Sequence, residues 1–339
     1  MRKKIALKDI ARQVGVSIAL VSYVLNNQEE EKRVGKAIAI KIRKAAKQLN
    51  YQPNQIAKSL KTRKTHTIGL IVANINYRFT TGITHAIEAE AKKNKYTVIF
   101  GSSDENQEKF AELMTVLINR QVDGLILVPV ENAEEQIKYL LKHEVPFVLI
   151  DRIFPKIQTN FIGLDNYKAA YQCVTHLVNT GHTRIGLINY KTSFYHLHER
   201  NRGYLQAMKD NKLKVKKVWH KEIREEHLKD DVHKSVQELV SASHNCDAIF
   251  FATEMLAVNG LKRLNALQIK VPDDLAVVSF DEAEAFELFY SPITHGRQPL
   301  EEMGKLAVST LMDIINHKKV CRQVYLESDF HIGKSCGEK

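Results

Sequence analysis

Pro53-Asn54-Gln55-Ile56-Ala57-Lys58-Ser59-Leu60-Lys61 is a short amphipathic stretch with very different neighbours on its two sides. Proline at or near the first helical position costs no hydrogen bond, and Ile56, Ala57 and Leu60 then share one helical face. A helix this short is marginal alone in water, so it is expected to form only when docked on something else. Before it, residues 1–65 hold 16 Lys/Arg against 4 Asp/Glu, which leaves 34 against 35 for residues 66–339. The whole net charge of +11 therefore belongs to the first fifth of the chain. A basic excess confined to one compact helical segment points to nucleic acid rather than to a membrane surface.

The basic segment reads as three helices. Leu7, Ile10, Ala11 and Val14 form an apolar stripe at helical spacing, and Gly15-Val16-Ser17 ends it. Gly15 suits the positive φ of a tight turn, and Ser17 is a good N-cap. In the second helix, Ile18 to about Asn26, Val21, Val24 and Leu25 face inward and Ile18, Ala19, Ser22, Tyr23 and Asn26 face outward. A third helix spans about Lys36 to Leu49, and Asn50-Tyr51-Gln52-Pro53 stops it. Two short helices joined by a glycine-containing turn, the second presenting its N-terminal end, form a helix-turn-helix pattern.

From His66 the pattern changes to alternating strands and helices. Apolar runs at 66–73, 96–101, 124–130 and 146–151 alternate with helical stretches at 80–94, 107–119 and 133–143. A second series has strands near 161–165, 184–190, 248–253 and 275–281 and helices near 167–180, 200–212, 230–242 and 255–267. Continuous apolar strands separated by helices predict parallel sheets covered on both faces, so the fold class is α/β with two Rossmann-like lobes behind an all-α head. The expected domains are 1–52 (helix-turn-helix), 53–65 (hinge helix and linker) and 66–339 (ligand binding and dimerisation). Within the last, lobe 1 takes about 66–160 plus 293–318 and lobe 2 about 161–291 plus 322–339. The chain should cross between lobes near 151–161, 282–292 and 317–322.

Cys173, Cys246, Cys321 and Cys336 lie far apart with no CxxC pair, so neither a disulfide framework nor a zinc ribbon is expected. The charged N-terminus runs into Lys8, Asp9 and Arg12 instead of an apolar core, and no apolar run approaches the ~20 residues that span a bilayer. A cytoplasmic protein without secretory signal or membrane span is expected.

In this order over most of the chain, several short stretches resemble the lac repressor-type (LacI/GalR) family of bacterial transcription regulators. They include Asp9-Ile10-Ala11, Val21-Ser22-Tyr23-Val24-Leu25-Asn26, Leu49-Asn50-Tyr51-Gln52-Pro53-Asn54 and Ile56-Ala57-Lys58-Ser59-Leu60. Further on come Arg120-Gln121-Val122-Asp123-Gly124, Ile150-Asp151-Arg152, Phe280-Asp281 and Arg297-Gln298-Pro299. The resemblance implies a homodimer on a pseudo-palindromic double-stranded operator, found in the bacterial cytoplasm and at the nucleoid when bound. It also implies paired hinge helices in the minor groove, where Leu60 matches a leucine that wedges between base pairs. Ile18, Ala19 and Tyr23 match base-reading positions, the first two offering apolar contact to thymine methyls. Ser17, Ser22, Tyr51 and Asn54 suit phosphates, and Asn26 and Ala57 complete the DNA-binding set. Leu20 and Gly35 depart from the family pattern, which usually has threonine and serine there.

In open α/β sheets ligands bind beyond the carboxyl ends of the strands. By position this places Asn74, Arg78, Phe79, Arg152, Asp165, Arg200, Glu254 and Asp281 around a small-molecule effector. Arg200-x-x-Gly203-Tyr204 resembles the family's Arg-x-x-Gly-Phe, whose arginine contacts effector, and Asp281 resembles an aspartate that accepts hydroxyl hydrogen bonds. Carboxylates, guanidiniums and an aromatic ring suit a sugar or sugar derivative. The resemblance favours a repressor; a ligand-activated activator and a sugar-binding protein without transcriptional role are the competing readings. Catalysis is not expected, because the chain has no Gly-x-Ser-x-Gly elbow, Walker A loop or His-Glu-x-x-His. His196-x-His198 falls in a polar loop on this reading, and no metal or cofactor is expected.

Overall fold

The computed structural model describes residues 5–52 and 64–337, which fall into two compact units divided at Thr65–His66. The stretch Pro53–Lys61, with Asn54, Ala57 and Leu60, lies outside the described residues.

The first unit is built on α1 (Leu7–Val14), α2 (Ile18–Leu25) and α3 (Lys36–Gln48). The Asp9 carboxylate accepts the Ala6 N–H at 2.8 Å and steadies the start of α1. Gly15 closes α1 at φ 74°, a conformation that costs a side-chain-bearing residue roughly 1–2 kcal/mol. Ile10, Ala11, Val21, Val24, Ala39, Ile42, Ala45 and Ala46 make its core. Leu20, where the family resemblance expects a threonine, packs against that core instead of pointing to solvent.

The second unit opens with β1 (Thr67–Val72), α4 (Arg78–Lys93), β2 (Thr97–Ser102), α5 (Gln107–Asn119), β3 (Gly124–Leu127), α6 (Glu134–Lys142), β4 (Phe147–Ile150) and β5 (Phe161–Leu164). There follow α7 (Asn166–Asn179), β6 (Ile185–Tyr190), α8 (Tyr195–Asp210), β7 (His220–Ile223), α9 (Leu228–Val240), β8 (Ala248–Phe251), α10 (Glu254–Ala266) and β9 (Ala276–Phe280). The last elements are α11 (Glu284–Leu288), β10 (Thr294–Arg297), α12 (Leu300–Ile315), β11 (Gln323–Leu326) and β12 (Asp329–His331).

Two six-stranded sheets result, in the orders β11-β5-β4-β3-β1-β2 and β12-β10-β9-β8-β6-β7. All pairings are parallel except β10 with β12. The central strands are buried on both faces. In the first lobe Ile68, Leu70 and Ile126 join Ile83, Met303 and Leu311 on one side, while Leu125, Leu127 and Leu149 join Phe110, Leu117 and Ile137 on the other.

The lobe boundaries differ from those expected on sequence alone. Strand β5 belongs to the first sheet, where Leu149 pairs with Phe161 and Ile150 with Ile162, so residue 161 does not open lobe 2. Strand β10 pairs with β9 in the second sheet, so lobe 1 regains the chain at α12 and not at 293; β11 pairs with β5 in the first sheet, so lobe 2 regains it only at β12. The three crossings therefore fall at residues 165, 298–299 and 327–328, each later than expected. An apolar run announces a strand buried on two faces, and both sheets bury such strands equally well. Strand β7, a polar edge strand of sequence His-Lys-Glu-Ile, gives no apolar signal and was not anticipated.

Candidate functional site

The face of α2 opposite its core is accessible. Val21 and Val24 are fully buried, while Ser17 and Ala19 are exposed and Ile18 is 52% exposed; Ser22 and Tyr23 are half-buried and Asn26 is exposed. Ser17 caps the helix by accepting the Leu20 N–H at 3.2 Å. The Asn26 amide donates to the Ser22 carbonyl at 2.8 Å and to Ser22 Oγ at 3.3 Å, which secures the other end. Tyr51 is half-buried against the core of this unit. Ser17→Ala is expected to lower the melting point of this unit, at a cost of about 1 kcal/mol; calorimetry of the full chain reads it as a shift of one transition only. Between residues 5 and 52 stand 9 Lys/Arg against 4 Asp/Glu, and two of those acids are taken up, Glu29 by Arg43 and Glu31 by Lys32.

Between the two lobes of the second unit lies a cavity of about 680 Å³. Strand ends supply most of its walls: Asn74 after β1, Glu105 after β2, Asp151 and Arg152 after β4, Tyr190 at the end of β6, Glu254 after β8 and Asp281 after β9. Asp151 and Asp281 each stand one residue past the end of their strand with positive φ, 65° and 62°. Aspartate tolerates this left-handed conformation better than most residues.

Arg200 reaches the cavity floor from α8 because Gly203, one turn on, lets α8 lie against α7; a Cβ there would sit 2.3 Å from the Tyr167 carbonyl oxygen. The Arg200 guanidinium donates to Asn166 Oδ1 at 2.8 Å and to the Ala252 carbonyl at 2.7 Å, stacks on Phe280 at 3.5 Å and lies 3.6 Å from Asp281. Arg152 makes two 2.7 Å hydrogen bonds to Glu105 and stacks 4.0 Å from Phe194. Gln298 donates to Asp281 Oδ1 at 2.7 Å. Glu254 begins α10, where its charge opposes the helix dipole favourably, yet burial and then the neighbouring Asp281 push its carboxyl up to about 8. Burial likewise raises Asp151, to about 6, and raises Asp281 against the pull of Arg200. Burial would raise Glu131 too, but the Thr192 hydroxyl and the Ser193 amide and hydroxyl hold it below the usual carboxylate range.

Of the expected ligand residues, Asn74, Phe79, Arg152, Arg200, Glu254 and Asp281 line this cavity. Arg78 does not: it is partly exposed and pairs with Glu282 and Glu284, both at 3.2 Å, so it bridges the lobes outside the cavity. Nor does Asp165, whose carboxylate caps α7 by accepting the Lys168 N–H at 2.9 Å and borders a separate crevice of about 30 Å³. Residues that the sequence reading did not place in this cavity are Tyr77, Glu105, Glu131, Asp151, His196 and Gln298. His196 lies on α8 and not in a loop; it is buried, and burial holds its ring well below the usual histidine range, so it is neutral. Asp151 and Gln298 stand within the quoted family stretches, and that was the available signal.

Tyr77 donates across the cleft to Glu225 at 2.6 Å, and Glu131 reaches across to Thr192 and Ser193. Tyr77→Phe removes one such link, worth about 1 kcal/mol, and is expected to shift the open-to-closed ratio roughly fivefold. Small-angle scattering should then show a larger mean radius for the variant.

A basic helix-turn-helix unit followed by a two-lobed ligand domain defines a ligand-responsive DNA-binding regulator. Family models agree: residues 6–54 match "Bacterial regulatory proteins, lacI family" and residues 174–336 match "Periplasmic binding protein-like domain". The chain is 30% identical over 316 residues to "Probable HTH-type transcriptional regulator EndR" of Paenibacillus polymyxa, covering 92% of this chain and 91% of that protein. It is 28% identical over 317 residues to catabolite control protein A of Priestia megaterium, covering 93% and 94%. Among solved structures, the lac repressor dimer bound to operator and the anti-inducer ONPF superposes with a TM-score of 0.88 at 21% identity, covering 99% of this chain and 100% of that one. The transcriptional regulator CelR–cellobiose complex gives 0.71 at 25% identity, covering 98% and 100%. The chain belongs to the lacI family of bacterial transcription regulators, a family of DNA-binding proteins and not of enzymes.

Proposed function

We propose that this regulator is a repressor whose grip on a pseudo-palindromic operator is set by a small polar ligand, a sugar or sugar derivative, held in the cleft between the lobes. The carrying observation is the cavity itself: about 680 Å³ lined by carboxylates, three guanidiniums and aromatic rings, the composition that suits a polyhydroxylated molecule. The cellobiose in the CelR complex supports this choice of ligand class. Ile18 and Ala19 on the open face of α2 would contact thymine methyls, with Tyr23 as a hydrogen-bonding reader and Ser17 and Ser22 on phosphates. Asn54, Ala57 and Leu60 are assigned to the minor groove on the resemblance alone.

The protein acts as a homodimer on this reading, and one surface fits that role. The edge strand β2 leaves Ile99 40% and Phe100 50% exposed, whereas strands of a parallel sheet are normally covered. Among the described residues no helix is long and apolar enough to cross a membrane, consistent with a cytoplasmic protein that joins the nucleoid when bound. The test is selection of duplexes from a random pool by the full-length protein, with and without a mixture of sugars. Enrichment of a palindrome, altered by the sugars, is the expected result. Failure to enrich any sequence under either condition overturns the assignment.

A further inference from the structure

The cleft carries more negative charge than its arginines offset. Five carboxylates line its interior, Glu105, Glu131, Asp151, Glu254 and Asp281, against the guanidiniums of Arg152 and Arg200, and the exposed part of the lining is acidic as well, with Asp104, Glu225 and Glu226 against Lys191 and Arg224. Both guanidiniums are largely committed, with Arg152 Nε buried and lacking a hydrogen-bond partner. Arg152 is held by its two hydrogen bonds to Glu105, and Arg200 by Asn166, the Ala252 carbonyl and Asp281. Glu131 is held by Thr192 and Ser193. Among the described residues, Glu254 has no cation within ion-pairing distance, and Asp151 has only Arg152 Nε at 3.8 Å.

The unfilled polar positions at the floor point the same way. Asp151 is 8% exposed and its Oδ1 has no hydrogen-bond partner. Gln298 is 7% exposed; its amide nitrogen is spent on Asp281, and its carbonyl oxygen has no partner. Both atoms accept hydrogen bonds; beside them Arg152 Nε, which donates, and His196 Nδ1 also lack partners. A buried acceptor without a donor is costly, as is a buried carboxylate without a cation, so the site is built for a ligand that supplies both.

We propose that the ligand is a polyol bearing a positively charged nitrogen, of the aminosugar type, with its ammonium among Asp151, Glu254 and Asp281 and a hydroxyl or N–H donating to the Gln298 carbonyl. The proposal rests on reading the cleft as the effector site and narrows the ligand class. A phosphorylated sugar fits less well, because each arginine of the lining already faces a carboxylate and the remaining cation, Lys191, is exposed to solvent. A neutral sugar satisfies the acceptors but leaves the excess charge. The raised Glu254 and Asp151 carboxyls are what a site short of one cation would show. Phe79 and Tyr190 add aromatic wall against which a cation or a sugar ring can lie.

The experiment is titration calorimetry and thermal shift of the full-length protein at pH 7 with matched sets. D-glucosamine, D-glucose and D-glucose 6-phosphate form one set, the galactose and mannose series two more, and the glucosamine disaccharide against cellobiose a fourth. At least one amine is expected to bind about tenfold or more tighter than its neutral parent, and the phosphates not at all. Glu254→Gln should reduce amine binding about tenfold more than it reduces binding of the neutral parent; Asp151→Asn is a second variant read by the same ratio. A neutral or phosphorylated sugar that binds as well as its amine overturns the proposal and leaves the effector site standing. Absence of binding by every compound overturns both.

Discussion

Arg200→Ala is expected to lower the unfolding free energy of the ligand domain by about 3–5 kcal/mol, the cost of removing one partner from a buried ion pair. The arginine is 2% exposed, and its loss takes the guanidinium donor from Asn166 Oδ1 and the Ala252 carbonyl and the cation from Asp281. The gap falls beside the ring of Phe280, so packing is lost with the charge. The chain's single tryptophan, Trp219, is buried in the same lobe and donates to the His244 carbonyl at 2.9 Å, so its fluorescence reports this unfolding in guanidinium chloride. A variant within about 1 kcal/mol of the parent would show that the pair is not the brace described here. At concentrations where the variant is still folded it should bind operator and ignore effector. A retained response would remove Arg200 from the ligand site.

The second large effect is on pH. Glu254 has its folded value raised from the usual 4.5 to about 8, by burial first and by Asp281 second. The folded chain therefore binds this proton more tightly than the unfolded chain does. The associated stability is present in full below pH 4.5 and is lost as pH rises toward about 8. At ~1.4 kcal/mol per pH unit the loss is on the order of 5 kcal/mol across that window. Asp151, raised from 3.8 to about 6 by burial, contributes in the same direction over the lower part of the range. Glu254→Gln carries no titrating proton and should flatten the curve, becoming the more stable protein near pH 8. Urea midpoints at pH 5, 6.5 and 8 decide it: parallel decline in parent and variant would mean that the slope arises elsewhere.

The two chemistries a sequence displays differ in how far they can be followed. Hydrophobic spacing located the three head helices and most of the alternating strands and helices, because each must bury one face or two. Ser17 and Gly15 were legible as a cap and a turn for local reasons, and both do that work in the fold. Arg200, Asp281 and Glu254 follow strand ends or a matching stretch, and position alone brought them to the cleft. Arg78 and Asp165 obey the same positional logic but meet closer partners, Glu282 with Glu284 for one and the Lys168 amide for the other. Competition of that kind is invisible until the chain has folded. The place of His196 was hidden for another reason: four of the five residues of α8 before Arg200 are polar or aromatic, so the stretch passes for a loop.

The three passages between lobes, at residue 165, at 298–299 and at 327–328, have a consequence for how the protein is made. The first sheet receives its edge strand from Gln323–Leu326 and the second receives one from Asp329–His331. Neither sheet can be completed on the ribosome until those last strands have been translated, although the DNA-binding unit, with a core of its own, emerges whole some 270 residues earlier. A nascent or prematurely terminated chain thus presents an operator-reading head on an unfinished sensor. Nonsense changes after Ile315 should yield products that fail to sense effector and are cleared by proteolysis, sparing the cell a DNA-binding head that no effector controls.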